Sequence, residues 1–342
     1  MLNTPPPLVS VVLPVRNGAA TLPTVLANLR AQTRPDWELV AVDDGSTDDT
    51  AALLRAAAQG EPRITVRTQP PRGIVAALQH GCAAARGRFI ARLDADDEMT
   101  PDRLARQAEF LAAHPAIGLA TCRVGYGGDP SAQAGYAAHV AWLNSLLTPD
   151  QMALRRFVEA PVAHPSVMFR RELLARHGGY AEGDFPEDYE LWLRWLEAGV
   201  RFGKVDAELV RWNDPPHRLS RTAPRYRPEA FYRLKCEYLA RWLRAHVAPE
   251  RAVWLWGAGR VTRQRFRLLE AAGTRLHGFV DVDRKKWGRQ RDGRPVVGPD
   301  HLPSRGAAFI VAGVGTRGAR DLIATALEQR GWREGADFLL AA

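Results

Sequence analysis

The first hundred residues alternate between continuous apolar runs and apolar positions at helical spacing. Residues 8–15 are apolar apart from Ser10 and Pro14, the pattern of a strand buried on both faces. Leu22, Val25, Leu26 and Leu29 then fall on one helical stripe. Residues 37–42 predict a second strand, 64–66 a short third and 89–93 a fourth, with Ile74, Ala77, Leu78 and Cys82 marking the helix before the fourth. The second strand runs into Asp43-Asp44-Gly45-Ser46-Thr47-Asp48, where Ser46 or Thr47 can cap a helix carrying Asp48 and Asp49 in its first turn. The fourth runs into Asp94-Ala95-Asp96-Asp97. This βαβαβαβ order predicts an α/β fold with an open parallel sheet, whose ligands lie off the carboxyl ends of the strands. Both acidic clusters fall at such ends.

From about 100 to 245 the pattern is less regular, with helices predicted over 101–113 and 187–198. Residues 211–235 carry seven Arg or Lys against two acidic residues, interrupted by Pro215, Pro216, Pro224 and Pro228. They read as a basic, loop-rich segment leading to a boundary near 245–250. A second α/β unit follows: a strand at 252–256, Gly257-Ala258-Gly259, a helix through 269, and a strand at 276–280 closed by Asp281. A further strand at 307–311 meets the Gly313, Gly315 and Gly318 run. The expected division is one domain over 1–245 and a smaller Rossmann-like domain over 250–342. Gly257, Gly259 and Asp281 are similar to a dinucleotide fingerprint, with Thr262 in the place of its third glycine. An acceptor-binding or assembly module weighs somewhat more than a bound NAD.

Composition narrows the partners. The 342 residues carry a formal charge of +9, nearly all from arginine, since only Lys204, Lys235, Lys285 and Lys286 are lysines. That balance favours nucleotide diphosphates, anionic membrane surfaces or nucleic acid. Nucleic acid is set aside because the basic run lacks interleaved aromatic platforms. The three cysteines, Cys82, Cys122 and Cys236, are too few and scattered for a disulfide framework or a zinc knuckle, which suits a reducing cytoplasm. The start of the chain lacks the basic and apolar regions of a secretory signal. Residues 130–149 have no charged side chain, yet Ser131, Gln133, His139, Asn144, Ser145 and Thr148 make them too polar for a membrane span. A soluble cytoplasmic protein is expected, with peripheral contact at the inner face of an anionic membrane.

Asp94 and Asp96, two apart where a strand ends, can turn toward one point. Such hard oxygen donors suit Mg²⁺ or Mn²⁺ held jointly with substrate phosphates. Near residue 188, Leu191, Trp192, Trp195 and Leu196 form a stripe that anchors a helix with Glu187 and Asp188 at its start.

Four segments in order carry a resemblance: 9–18 (VSVVLPVRNG), 42–48 (VDDGSTD), 87–97 (GRFIARLDADD) and 186–194 (PEDYELWLR). Together they resemble the successive motifs of family-2 glycosyltransferases, over roughly residues 7–222. The resemblance implies a GT-A fold and an inverting, metal-dependent transfer from a nucleotide-diphosphate sugar to a hydroxyl. It implies that Pro14, Asn17 and Asp44, with Asp43, lie against the nucleoside and Gly73 in the loop near the nucleotide. Asp94, Ala95 and Asp96 would form the diphosphate and metal motif. Asp188 is the implied general base and Glu187 its rival. His164 falls in an acceptor-side segment, and His217, beside Arg218, in a late segment that closes over the diphosphate and joins the metal ligands. Arg16 stands where many members stack an aromatic residue on the base, and Gln79 replaces a commoner Asn. The implied donor is a UDP-sugar first, with GDP- or dTDP-sugars as alternatives. The acceptor would be lipid- or protein-linked, and the product a surface polysaccharide, glycolipid or glycoprotein. The competing expectation is an NAD(P)-dependent oxidoreductase or nucleotide-sugar-modifying enzyme working through the tail.

Overall fold

The computed structural model describes residues 6–215, 218–316 and 318–342. They divide into two compact units. One comprises Met1–Met152, Val162–Gly183 and Glu187–Leu219; the other comprises Ala153–Pro161, Asp184–Pro186 and Ser220–Ala342.

The first unit holds strands β1 (Val9–Val15), β2 (Trp37–Asp44), β3 (Ile64–Gln69), β4 (Phe89–Arg92), β5 (Glu98–Met99), β6 (Ile117–Tyr126), β7 (Met168–Arg170) and β8 (Arg201–Trp212). They form one sheet in the order β3-β2-β1-β4-β7-β6-β8-β5. The four strands expected from the apolar runs are all present and parallel, with Val9 opposite both Trp37 and Phe89. Every position of β1 and β2 is buried, which is why their sequences are runs rather than alternations. The helix Ile74–Ala84 lies so close that a side chain at Gly81 would meet Val12 Cγ1 at 2.6 Å. Beyond β4 the sheet is no longer purely parallel, because β7 inserts antiparallel between β4 and β6.

In the second unit, β9 (Ala252–Trp256), β10 (Leu276–Val280), β11 (Gln290–Arg291), β12 (Arg294–Val297), β13 (Ala308–Ala312) and β14 (Phe338–Leu340) take the order β11-β12-β10-β9-β13-β14. All pairs are parallel except the β11–β12 hairpin. The last segment of the first unit ends at Leu219, so the helix Pro228–His246, which lies before the expected boundary at 245–250, groups with the second unit. The reason is that helix's apolar face: Leu234, Cys236, Leu239 and Leu243 are buried, and Tyr232 meets Phe266 edge-on at 5.9 Å within the second unit. The three cysteines are buried thiols. Among the described residues no helix is long and apolar enough to cross a membrane.

Candidate functional site

The carboxyl ends of β1, β2 and β4 lead into loops that are bonded to one another. After β1, Asn17 takes a left-handed backbone (φ 52°), which asparagine tolerates better than most residues. Its Oδ1 accepts from the Thr47 N–H (2.8 Å) and its own N–H donates to Ser46 Oγ (2.9 Å). The Gly18 N–H donates to Thr50 Oγ1 (2.8 Å), and the Ala19 N–H to Asp48 Oδ2 (3.1 Å). Thr21 Oγ1 donates to the Ala95 carbonyl (2.5 Å), which joins this loop to the one after β4. Ser46 and Thr47 therefore serve the β1 loop and not a helix cap. The helix itself is Thr50–Gly60, and Asp48 Oδ1 accepts from the Thr50 N–H (3.0 Å). Pro14 is buried at the end of β1 and Arg16 is exposed.

Both acids at the end of β2 are buried and bonded. Asp43 Oδ1 accepts from the Ser46 N–H (3.0 Å). Asp44 accepts three bonds: Gln69 Nε2 (2.8 Å) and the Arg72 N–H (2.8 Å) at Oδ1, and the Gly73 N–H (2.9 Å) at Oδ2. A carboxylate offers about four acceptor positions. Most of Asp44 is therefore engaged in holding the loop 69–73. Gly73, with φ at 90°, opens the helix Ile74–Ala84; the demand on it is conformational, since a Cβ there would touch nothing within 4 Å.

The turn after β4 concentrates charge. Arg92 is only 2% exposed. Its Nη2 donates to Asp94 Oδ1 (2.5 Å), its Nη1 to the Leu93 carbonyl, and its Nε is buried without a partner. Arg103, fully buried, donates from Nη2 to the Arg92 carbonyl (2.8 Å) and from Nε to Gln107 Oε1 (3.0 Å). Burial acts to raise the Asp94 carboxyl, but the Arg92 guanidinium, with His164 and Arg218, holds it below its usual range. Asp96 goes the other way: burial and the Asp94 charge push it up to about 6. Asp97, buried beside both, is raised well above the carboxylate range by burial and those two charges. Its Oδ1 accepts from the Asn213 N–H (2.8 Å) and its Oδ2 is buried without a partner. Asn213 Nδ2 donates to the Asp96 carbonyl (2.8 Å) and to Glu98 Oε1 (3.2 Å), so the exit of β8 is fastened to the acidic turn. Arg218 adds positive charge there while paired with Asp214 (3.2 Å), its guanidinium over the Trp212 ring at 4.7 Å.

The helix Glu187–Glu197 is held by Tyr189, Leu191, Trp192, Leu193 and Trp195, all buried. Glu187 is 3% exposed, whereas Asp188 is half-buried and its Oδ1 accepts from the Tyr189 N–H (2.7 Å). Burial, then neighbouring charges that include Asp188 and Glu187, raise the Tyr180 hydroxyl well above its usual range. Burial opposes the charge on Arg92, while Asp94, Tyr180 and Glu187 support it. These couplings bring Arg92, Asp94, Tyr180, Glu187 and Asp188 into one neighbourhood. His164 Nε2 meets the Tyr180 hydroxyl at 2.7 Å. Burial and the Arg92 charge push His164 down to about 3, so its ring is neutral.

The structure therefore gathers Pro14, Asn17, Asp43, Asp44 and Gly73 around one set of loops, and Asp94, Asp96, Arg218, His164, Glu187 and Asp188 around the adjoining charged turn. His217 lies outside the described residues. Among the described residues no three His, Cys, Asp or Glu side chains gather as a metal-holding group; Asp94 and Asp96 offer a pair. Arg92, Arg103, Tyr180 and Asn213 were not singled out from sequence. A guanidinium inside an apolar strand, as in Phe89-Ile90-Ala91-Arg92-Leu93, was the available signal. In the second unit, Asp281 is internally satisfied: Oδ2 accepts from the Ala258 N–H (3.0 Å) and Lys286 Nζ (2.9 Å), and Oδ1 from the Asp283 N–H (2.9 Å).

Comparison with known proteins adds a family. The pattern of glycosyl transferase family 2 matches residues 10–178. The chain is 36% identical over 207 residues to the O-antigen biosynthesis protein RfbC of Myxococcus xanthus, covering 59% of this chain but only 16% of that protein. It is 32% identical over 200 residues to EpsE of Bacillus subtilis (strain 168), named as a glycosyltransferase, covering 57% of this chain and 69% of that one. In three dimensions it is similar to the mannosyltransferase PcManGT from Pyrobaculum calidifontis, solved with GDP-Man and Mn²⁺. The TM-score is 0.51 at 22% identity, over 80% of this chain and 71% of the other, a likeness of fold.

Proposed function

Because the chain belongs to glycosyl transferase family 2 and has the GT-A fold, we propose that it transfers a sugar from a nucleotide-diphosphate donor to an acceptor hydroxyl, with inversion, in the assembly of a surface polysaccharide or related glycan. The observation that carries this reading is the adjacency of the bonded loops after β1 and β2 to a turn whose acids are unevenly compensated by Arg92 and Arg218. A nucleoside against the first and a diphosphate against the second is the ligand that suits both. The GDP-Man bound by PcManGT and the O-antigen role in the name of RfbC support the substrate class. Arg16, exposed beside Asn17, offers a guanidinium plane on which a base can stack.

Asp94 and Asp96 would hold Mg²⁺ or Mn²⁺. They fit such a cation: both are hard oxygen donors, and Asp96 is raised to about 6 by burial and the charge of Asp94, a repulsion that a cation relieves. A bound cation neutralises charge on the diphosphate leaving group. Arg218 adds positive charge on the same side. His217 joins the ligand set by resemblance alone. Asp188 takes the proton of the attacking hydroxyl. The buried Trp192 and Trp195 hold its helix, and unlike Glu187 it is partly exposed. Glu187 supports Arg92 instead. For the oxidoreductase alternative, Asp281 would have to meet a cofactor ribose while already accepting from Ala258, Asp283 and Lys286.

The test is Asp188→Asn with a radiolabelled donor. Folding and donor affinity should persist while kcat falls on the order of 10²- to 10⁴-fold, with Glu187→Gln the milder change. Near-normal turnover in Asp188→Asn together with loss in Glu187→Gln would transfer the role to Glu187.

A further inference from the structure

At the opposite end of the first unit's strands, where β1, β2 and β4 begin and β7 ends, lies a groove of about 700 Å³. Four arginines line it, Arg86, Arg88, Arg170 and Arg171, against Asp36 and Glu172. The length of β1, seven residues at ~3.3 Å each, puts it about 20 Å from the site described above.

The charges in this groove do not cancel. Asp36 is paired with Arg34 (2.7 Å) and Glu172 with Arg176 (3.6 Å), both outside the lining. Arg86 is paired with Glu38 (2.7 Å). Among the described residues, the other three guanidiniums have no carboxylate within ion-pairing distance. Arg170, only 9% exposed, bonds only neutral carbonyls, those of Ile117 (2.9 Å), Leu111 (2.6 Å) and His114 (3.3 Å), which leaves its Nη1 unused. Burial, then repulsion from Arg88, lowers its affinity for its proton, with the Glu172 charge acting the other way. Arg171 gives only its Nε, to the Gly87 carbonyl (2.8 Å), and keeps both Nη groups. Arg88 is exposed with its guanidinium over the Phe89 ring at 5.4 Å. A nearly buried cation with no carboxylate in contact and only the charge of Glu172 nearby, flanked by two more with open forks, costs stability unless an anion completes it.

We propose that this groove binds a phosphate-bearing ligand, with Arg88 and Arg171 as the mobile fork donors and Arg170 as the fixed floor. Guanidinium forks match phosphate oxygens in pairs, and the volume suits a small-molecule headgroup. The phosphate can belong to a soluble phosphoester or to a lipid at a membrane surface.

The experiment titrates the full chain with inorganic pyrophosphate by calorimetry, with EDTA present to suppress metal-assisted binding at the donor site. Three proteins are compared: the parent, Arg88→Ala/Arg171→Ala and Asp96→Asn. The arginines changed are exposed and only the Arg171–Gly87 bond is lost, so the double variant should stay folded, with its melting temperature lowered only slightly. Its pyrophosphate affinity should fall by roughly tenfold or more, the loss of two charge-assisted contacts, while Asp96→Asn binds as the parent does. Flotation with vesicles of phosphatidylcholine alone, or with phosphatidylglycerol added, then identifies the source. Arginine-dependent capture by the anionic vesicles assigns the phosphate to a lipid, and pyrophosphate binding without capture assigns it to a soluble ligand. No pyrophosphate binding by the parent, or equal binding by parent and double variant, overturns the inference.

Discussion

Asp44 offers a sharp test of how the site is held together. Its two oxygens gather the Gln69 amide and the N–H groups of Arg72 and Gly73, at 2.8 to 2.9 Å. Asp44→Asn preserves volume but replaces one accepting oxygen with an NH₂ that faces an N–H. At least one bond to a charged group is lost, at about 1.5–3 kcal/mol, and a backbone donor is left unpaired. Since 1.4 kcal/mol is a factor of ten, the loop 69–73 should open roughly 10- to 100-fold more often. The assay is amide hydrogen exchange of Arg72 and Gly73 in the absence of donor, which isolates the loop from any contact Asp44 makes with a nucleotide. Val11 and Val12, deep in β1, serve as unaffected controls. Gln69→Leu removes the amide's bonds to Asp44 and to His80 (3.2 Å) but leaves the Arg72 and Gly73 N–H groups paired, so it should raise their exchange less than Asp44→Asn does. If Asp44→Asn leaves the exchange of Arg72 and Gly73 within about threefold of the parent, the carboxylate does not hold the loop and the reasoning fails. Donor affinity should fall only as far as the opened loop becomes the populated state.

Other expectations follow from the same geometry. Asp96→Asn should sharply weaken donor binding measured with Mn²⁺, and EDTA should do the same to the parent; full turnover in excess chelator would exclude the cation from the reaction. Asn213→Ala removes the side-chain bonds to the Asp96 carbonyl and to Glu98, so donor KM should rise several-fold at a stability cost of about 1 kcal/mol, and an unchanged KM would detach β8 from the acidic turn. Burial acts to raise the Glu38 carboxyl, but bonds from Ser10 and Arg86 bring it below the usual glutamate range. The folded protein therefore holds that proton less tightly than the unfolded chain. The melting-temperature advantage of parent over Glu38→Gln should be full at neutral pH and fade as pH falls through the lowered value; an advantage constant down to about pH 3 would contradict the assignment.

Much of this arrangement is written plainly in the chain. Strands β1, β2 and β4 are buried on both faces and so leave nearly continuous apolar runs, broken by Ser10, Pro14, Glu38 and Arg92, and the acids that end them stand out because a parallel sheet places ligands at carboxyl ends. Strand β7 is not readable: with only Met168, Phe169 and Arg170 it has no period to detect, and its pairing partners are distant in sequence. Arg92 is marked only by its place inside an apolar strand, and Arg103 looks like an ordinary surface charge until the fold surrounds it. Ser46 and Thr47 carry the residue types of a helix cap, and local chemistry gives no sign that Asn17, some thirty positions earlier, claims them first. The division of the chain was obscured by the helix Pro228–His246, whose buried face contains Lys235 and whose approach is rich in proline and arginine.

The bonds among the loops after β1, β2 and β4 also bear on how such a protein can be re-engineered. Nearly all of them join the side chain of one loop to the backbone of another: Ser46 to Asn17, Thr50 to Gly18, Asp48 to Ala19, Thr21 to Ala95. A chimera that imports a single loop from a relative brings in side chains whose partners are missing and strands donors that had partners before. Grafting therefore has to move the loops together, as one cassette on an unchanged sheet. Arg16 is the exception. Its exposed side chain lies outside this lattice, so it can be exchanged alone, and a library confined to that position is the economical place to begin altering donor choice.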